Sequence, residues 1–245
     1  MNLSLSKSIL AAIVAITLIS GCASDDINYA NAQLEYAAAK EKLNEGNYGA
    51  VTMNLDKFSA KYPYSKYATQ ADLLRIFAAY KNEEFILSET LSKRFVEEHP
   101  RHANVDYAKY MLAMSYYKQR APAEKDPTMN RLSIEAFKEL LEEHPDSAYA
   151  RDGSARLQSL YNTLAKHELT VGKFYYDKNR YVAAANRFQE VVKSYQTTPS
   201  IEEALYYLAS SYAKMGLSKD AHQIALLLRH NYPNSSWSSK AKDYL

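Results

Sequence analysis

The only cysteine of this 245-residue chain, Cys22, stands where its thiol can be acylated. It follows Leu18-Ile19-Ser20-Gly21 at the end of an apolar run, Ile9 to Ile19, that comes after a single basic residue, Lys7. Eleven residues fit the core of a cleavable signal and fall short of the ~20 that a spanning helix needs. A small residue directly before the cysteine is what a lipoprotein signal peptidase requires. Residues 1–21 are therefore expected to be removed and Cys22 to become a lipidated amino terminus. One acyl chain binds membranes only marginally, whereas two or three on one residue anchor firmly. With that thiol used, no disulfide is available, so stability must come from a buried core.

No other arrangement of residues points to catalysis. The chain lacks a glycine-rich phosphate loop, paired histidines at zinc-binding helical spacing, and a nucleophile elbow. His99 and His102 lie three apart across Pro100 and suggest a metal pair. His99 and His144, however, close parallel Glu-Glu-His-Pro phrases, where a cation suits the end of a helix. We read them as helix-terminal residues and expect no metal, no cofactor and no enzymatic activity. A net charge of +2 offers no clustered basic face, so a nucleic-acid partner is not expected.

The elements that carry these residues are helical. Six glycines and seven prolines are few, and Ala, Leu, Glu and Lys are abundant, which favours helices over a turn-rich sheet. The prolines also reveal a repeat. Lys61-Tyr62-Pro63, Glu98-His99-Pro100, Glu143-His144-Pro145 and Asn231-Tyr232-Pro233 each end a helical pattern. At one shared offset before them stand Val51, Ser88, Ser133 and Ala221, short side chains where two helices would touch. With Ala184 added, the spacings are 37, 45, 51 and 37 residues. Small residues, an interlocking aromatic and a closing proline at these offsets match the tetratricopeptide pattern.

The expected fold is therefore all-α, a tetratricopeptide-type solenoid of helical hairpins with about five repeats and a long central helix. Residues 22–31 form a short linker, 32–147 three N-terminal hairpins, and 148–245 the joining helix, two further hairpins and a capping helix. The 45-residue spacing reflects a loop within 119–130, where Ala121-Pro122 and Asp126-Pro127 break helices. The 51-residue spacing reflects one long helix over about 150–177, marked by an apolar stripe through Leu157, Leu160, Tyr161, Leu164, Val171 and Tyr175. Ser235-Ser236 can cap the final helix.

Paired-helix solenoids bind extended peptides along the surface lined by the first helix of each pair, so the function expected is protein binding. Tyr62, Tyr64 and Tyr67 cluster in and after the exit turn of the first hairpin. They could hold an aromatic-rich peptide by stacking, or could instead pack the junction between the first two hairpins.

Several phrases resemble the BamD family, the tetratricopeptide lipoproteins of the Gram-negative β-barrel assembly machine. These are Arg101-His102-Ala103-Asn104-Val105-Asp106-Tyr107 with Tyr110-Met111, Leu164-Ala165-Lys166 with Glu168, Val171, Tyr175 and Tyr176, and Tyr62-Pro63-Tyr64, Tyr80-Lys81-Asn82 and Asn186-Arg187. The resemblance covers about residues 32–240. It implies a lipid-anchored partner at the periplasmic face of the outer membrane. The N-terminal repeats would receive unfolded outer-membrane proteins, with Tyr62, Tyr64 and Tyr67 in the contact. The C-terminal repeats would dock a periplasmic domain of the central barrel subunit through Asn186 and Arg187. Arg187 could pair bidentately with a partner carboxylate, and reversing its charge is expected to weaken docking with little effect on unfolding. Accessory lipoproteins are further possible partners. A pilotin-like lipoprotein that assists secretin or pilus assembly is the alternative with the same anchor and fold.

Overall fold

The computed structural model describes the backbone of residues 20–245 and the side chains of residue 28 and residues 30–245. The expected signal segment lies almost wholly outside the described residues, as does the side chain of Cys22. The described residues form helices joined by turns and short loops, with no strand. They fall into two compact units that divide between Met111 and Leu112.

In the first unit, α1 (Ser20–Asn44) pairs with α2 (Tyr48–Asn54) and α3 (Phe58–Lys61), and α4 (Ala68–Lys81) pairs with α5 (Phe85–Glu98). The start of α6 (Val105–Gln119) completes it. Helix α1 includes residues 22–31, where a short linker is expected from sequence. The second helix of the first hairpin is broken in two. Lys57 takes a left-handed conformation, φ 57°, between Leu55 and Phe58, yet both side chains still reach the core. Val51, Leu55, Phe58 and Tyr62 pack there against Ala32, Ala39, Ala71 and Ala78. A second cluster joins Ile76, Leu91 and Phe95 to Ala108 and Met111.

The second unit contains the rest of α6, α7 (Thr128–Glu143), α8 (Ala150–Asp177), α9 (Tyr181–Ser194), α10 (Ile201–Lys214), α11 (Ser218–Asn231) and α12 (Ser236–Lys240), with a 3-10 turn at Ala241–Tyr244. The long helix inferred from the apolar stripe is α8, at the expected bounds. The Ser235 hydroxyl accepts the Trp237 N–H and caps α12. Residues 120–127, between α6 and α7, are non-helical.

Each hairpin is built by the same local chemistry. Val51, Ser88, Ser133, Ala184 and Ala221 are all buried in the slot between the two helices. The two serines fill it without leaving their hydroxyls unpaired: Ser88 donates to the Ile76 carbonyl at 3.3 Å and Ser133 to the Ala113 carbonyl at 3.0 Å. A buried hydroxyl needs such a partner, and a first-helix backbone oxygen supplies it.

Five residues before the slot, each tight hairpin places one residue at positive φ: Gly46, Glu83, Asn179 and Gly216. The next amide reaches back five residues, as from Glu84 to the Ala79 carbonyl and from Arg180 to that of Tyr175, which closes the first helix in a Schellman motif. At the other end, Tyr62, His99, His144, Tyr195 and Tyr232 stop the second helices at φ between −129° and −133°. Proline follows four of these five and disfavours helical geometry at the residue before it.

Candidate functional site

The exit turn of the first hairpin separates its three tyrosines. Tyr62 is the helix-stopping residue, so its ring turns into the core, 5.0 Å from Phe58, and only 4% of the residue is exposed. Its hydroxyl donates to Glu35 at 2.8 Å, and Lys61 pairs with the same carboxylate. Partial burial opposes ionisation of Glu35, but these two hydrogen bonds outweigh it and hold the carboxyl below its usual range. Tyr67, just before α4, is half-buried and stacks on Tyr36 of α1 at 5.0 Å. Tyr64 alone is fully exposed. Tyr62 thus packs the hairpin, while Tyr64 and the Tyr36–Tyr67 stack present aromatic surface.

On the same unit, Asp56, Ser59, Asp72, Arg75, Arg94 and His99 are among the residues that line a cleft of about 450 Å3. Arg75, whose side chain is 12% exposed, donates to Asp56 at 2.6 Å, while its buried Nε has no hydrogen-bond partner. Burial pushes the Asp72 carboxyl up, although Ser59 donates to it at 2.7 Å and Arg94 lies 3.7 Å away. His99 and His102 sit against Phe95, at 5.0 and 5.3 Å between ring centres. Among the described residues no group of His, Cys, Asp or Glu is placed to hold a metal ion.

In the second unit, Asn186 and Arg187 are exposed on α9. Arg187 already has a carboxylate partner within the chain. Its Nη1 donates at 3.0 Å to Oε2 of Glu168, a residue of α8 whose side chain is only 6% exposed. This corrects the expectation that reversing the charge of Arg187 would leave unfolding nearly unchanged. A second carboxylate would face a buried one that had lost its ion pair with Arg187. Sequence could have flagged Glu168, because it falls within the apolar stripe, between Leu164 and Ala165 on one side and Val171 and Gly172 on the other.

Sequence reasoning also passed over an aromatic assembly at the end of the second unit. Tyr207 stacks on Phe188 at 5.4 Å and meets Tyr176 at 5.2 Å, and Trp237 lies over Tyr206 at 5.3 Å. Ser210 Oγ joins the Tyr176 and Tyr244 hydroxyls, at 2.6 and 2.9 Å. These contacts hold α12 and the terminal turn against α10, as a terminal repeat requires.

Among the described residues no helix is long and apolar enough to cross a membrane. A family model for YfiO, described as an outer membrane lipoprotein, matches residues 29–227. The outer membrane protein assembly factor BamD of Neisseria meningitidis serogroup A is 31% identical over 96% of this chain and 95% of its own. That of Rickettsia prowazekii is 31% identical over 97% and 96%. Among solved structures, the tetratricopeptide domain of P58(IPK) aligns with a TM-score of 0.49 at 15% identity, over 90% of this chain and 56% of that one. Repeat, hairpin chemistry and near full-length similarity coincide, and the chain belongs to the BamD family of outer-membrane protein assembly factors.

Proposed function

We propose that the protein is a lipid-anchored scaffold of outer-membrane protein assembly, held at the periplasmic face of the outer membrane through Cys22. The observation that carries this reading is similarity along almost the whole chain to proteins named as outer membrane protein assembly factors. That similarity favours the assembly class over the pilotin-like alternative. The protein acts by binding and not by catalysis. Its first unit takes aromatic-rich segments of unfolded outer-membrane proteins on Tyr64 and the Tyr36–Tyr67 stack. Exposed aromatic rings with one polar end suit transient contact with such segments. Tyr62 supports that surface from the core. Its second unit docks a periplasmic domain of the central barrel subunit through Asn186 and the partly exposed guanidinium of Arg187, which retains donors for a partner carboxylate. Accessory lipoproteins of the machine are further candidate partners.

The test is a mild-detergent pull-down of the tagged, lipidated protein from its own membranes, with Cys22→Ala as the control for anchoring. Co-purification of a barrel-assembly subunit is expected, identified by mass spectrometry. Secretin or pilus proteins without that subunit would overturn the reading. Crosslinking from position 64 to a peptide with aromatic residues near its C-terminus tests the first contact. With the crosslinker placed instead at a neighbouring position, Tyr64→Ala should reduce the yield, whereas an equal yield would overturn the Tyr64 contact.

A further inference from the structure

We infer that Glu168 is a positioning residue for docking: it fixes the Arg187 guanidinium so that its remaining donors face a carboxylate on the partner. The inference rests on the docking role proposed for Arg187. Glu168 lies on α8 among buried residues, with Leu164, Ala165, Leu169 and Gly172 around it on the same helix, and 5% of it is exposed. A carboxylate in such a place is a weak source of stability. Its desolvation offsets most of its attraction to a cation, and apolar residues of similar volume often serve the fold as well or better. The ion pair therefore needs a reason other than holding two helices together, which Ala184, Phe188 and Val191 of α9 already do against α8.

The geometry supplies that reason. Arg187 Nη1 is committed to Glu168 Oε2 at 3.0 Å while 44% of the arginine side chain stays exposed. One corner of the planar fork is tied down from below and the rest is left at the surface. A guanidinium has five donors in a rigid fork, so engaging one edge leaves another for a second carboxylate. A free arginine samples many rotamers and loses them on docking, and a tethered one has lost part of that freedom beforehand. Helix α9 also carries Asn186 beside Arg187, so a partner contact would meet both on one short stretch.

The experiment is a double-mutant cycle with the full chain and the purified periplasmic fragment of the cognate barrel subunit. Affinity is read by calorimetry and folding by thermal unfolding. Glu168→Leu removes the charge and the acceptor but fills the same space, and it should unfold near the wild-type temperature. It should weaken docking about three- to tenfold, the scale of immobilising one long side chain. Glu168→Gln keeps an acceptor oxygen at the same reach and should dock within about twofold of wild type, while unchanged unfolding of Glu168→Leu separates the lost acceptor from lost packing. With Arg187→Ala in the background, Glu168→Leu should cause no further loss. Docking of Glu168→Leu as tight as wild type, or tighter, would overturn the inference while leaving the docking role of Arg187 intact. Unchanged docking by Arg187→Ala alone would instead overturn the docking role, and this inference with it.

Discussion

Single side chains show how tightly the helices meet. A methyl group added at Gly172 would sit 2.5 Å from the ring of Phe188, a fully buried residue, so the ring must shift. Gly172→Ala is therefore expected to lower stability by about 1–3 kcal/mol, despite the better helix propensity of alanine, as overpacked cores do. Denaturant unfolding checks it. Arg187→Glu is expected to destabilise by about 1–3 kcal/mol, below the full cost of breaking a buried pair because the arginine is partly solvated. Arg187→Lys is the milder variant for separating docking from folding. Asp72 supplies a pH test. Burial raises its carboxyl above the ordinary value of 3.8, so its contribution to stability is complete below that value. The contribution is lost as the pH rises through the higher value of the folded state. Asp72→Asn should therefore gain on the wild type as the pH is raised from below 3.8 to 7. A difference that stays constant or moves the other way would show that Arg94 and Ser59 outweigh burial.

Helix boundaries depend on turn chemistry that repeats down the chain. The four tight hairpins each need one left-handed residue, and two of them use glycine. Asparagine tolerates that conformation at Asn179, but Glu83 adopts it against its own preference, at φ 62°. Glu83→Gly should accordingly stabilise the second hairpin by up to about 1 kcal/mol, part of the relief being offset by the greater chain entropy of glycine. The reverse change, Gly216→Glu, should destabilise the fourth tight hairpin. Thermal unfolding of both variants tests the shared geometry, since equal shifts of one sign would contradict it. Lys57 belongs to none of these turns. Its left-handed backbone splits the second helix of the first hairpin, and the helical period alone gave no sign of that break.

At the scale of the whole molecule, each unit holds its own apolar clusters. The sequence has only one cysteine, at the proposed lipidation position, so no intramolecular disulfide can contribute. Unfolding should be insensitive to reductant, with midpoints in the presence and absence of dithiothreitol coinciding. Cys22→Ala should move the protein from the membrane to the soluble fraction while leaving that midpoint unchanged. A shifted midpoint would mean that the anchor region contributes to the fold.

The helical class, the hairpin repeat, the bounds of α8 and the cap at Ser235 are legible from residue order alone, because these follow from local rules. Apolar residues at three- and four-residue steps mark one helix face, a proline disfavours helix at the residue before it, and a serine satisfies the first amides of a helix. Near the candidate sites those rules reached only part of the way. The same turn chemistry that puts Tyr62 at a helix end sends its ring inward and leaves Tyr64 outside, and spacing gives the three tyrosines equal standing. Glu168 and Arg187 are 19 residues apart on two helices, and Asp56 and Arg75 likewise belong to different hairpins. Whether such charges meet depends on how two helices cross and how deep each side chain lies. Crossing and depth are set by the summed packing of many neighbours, which no local rule along the chain reaches.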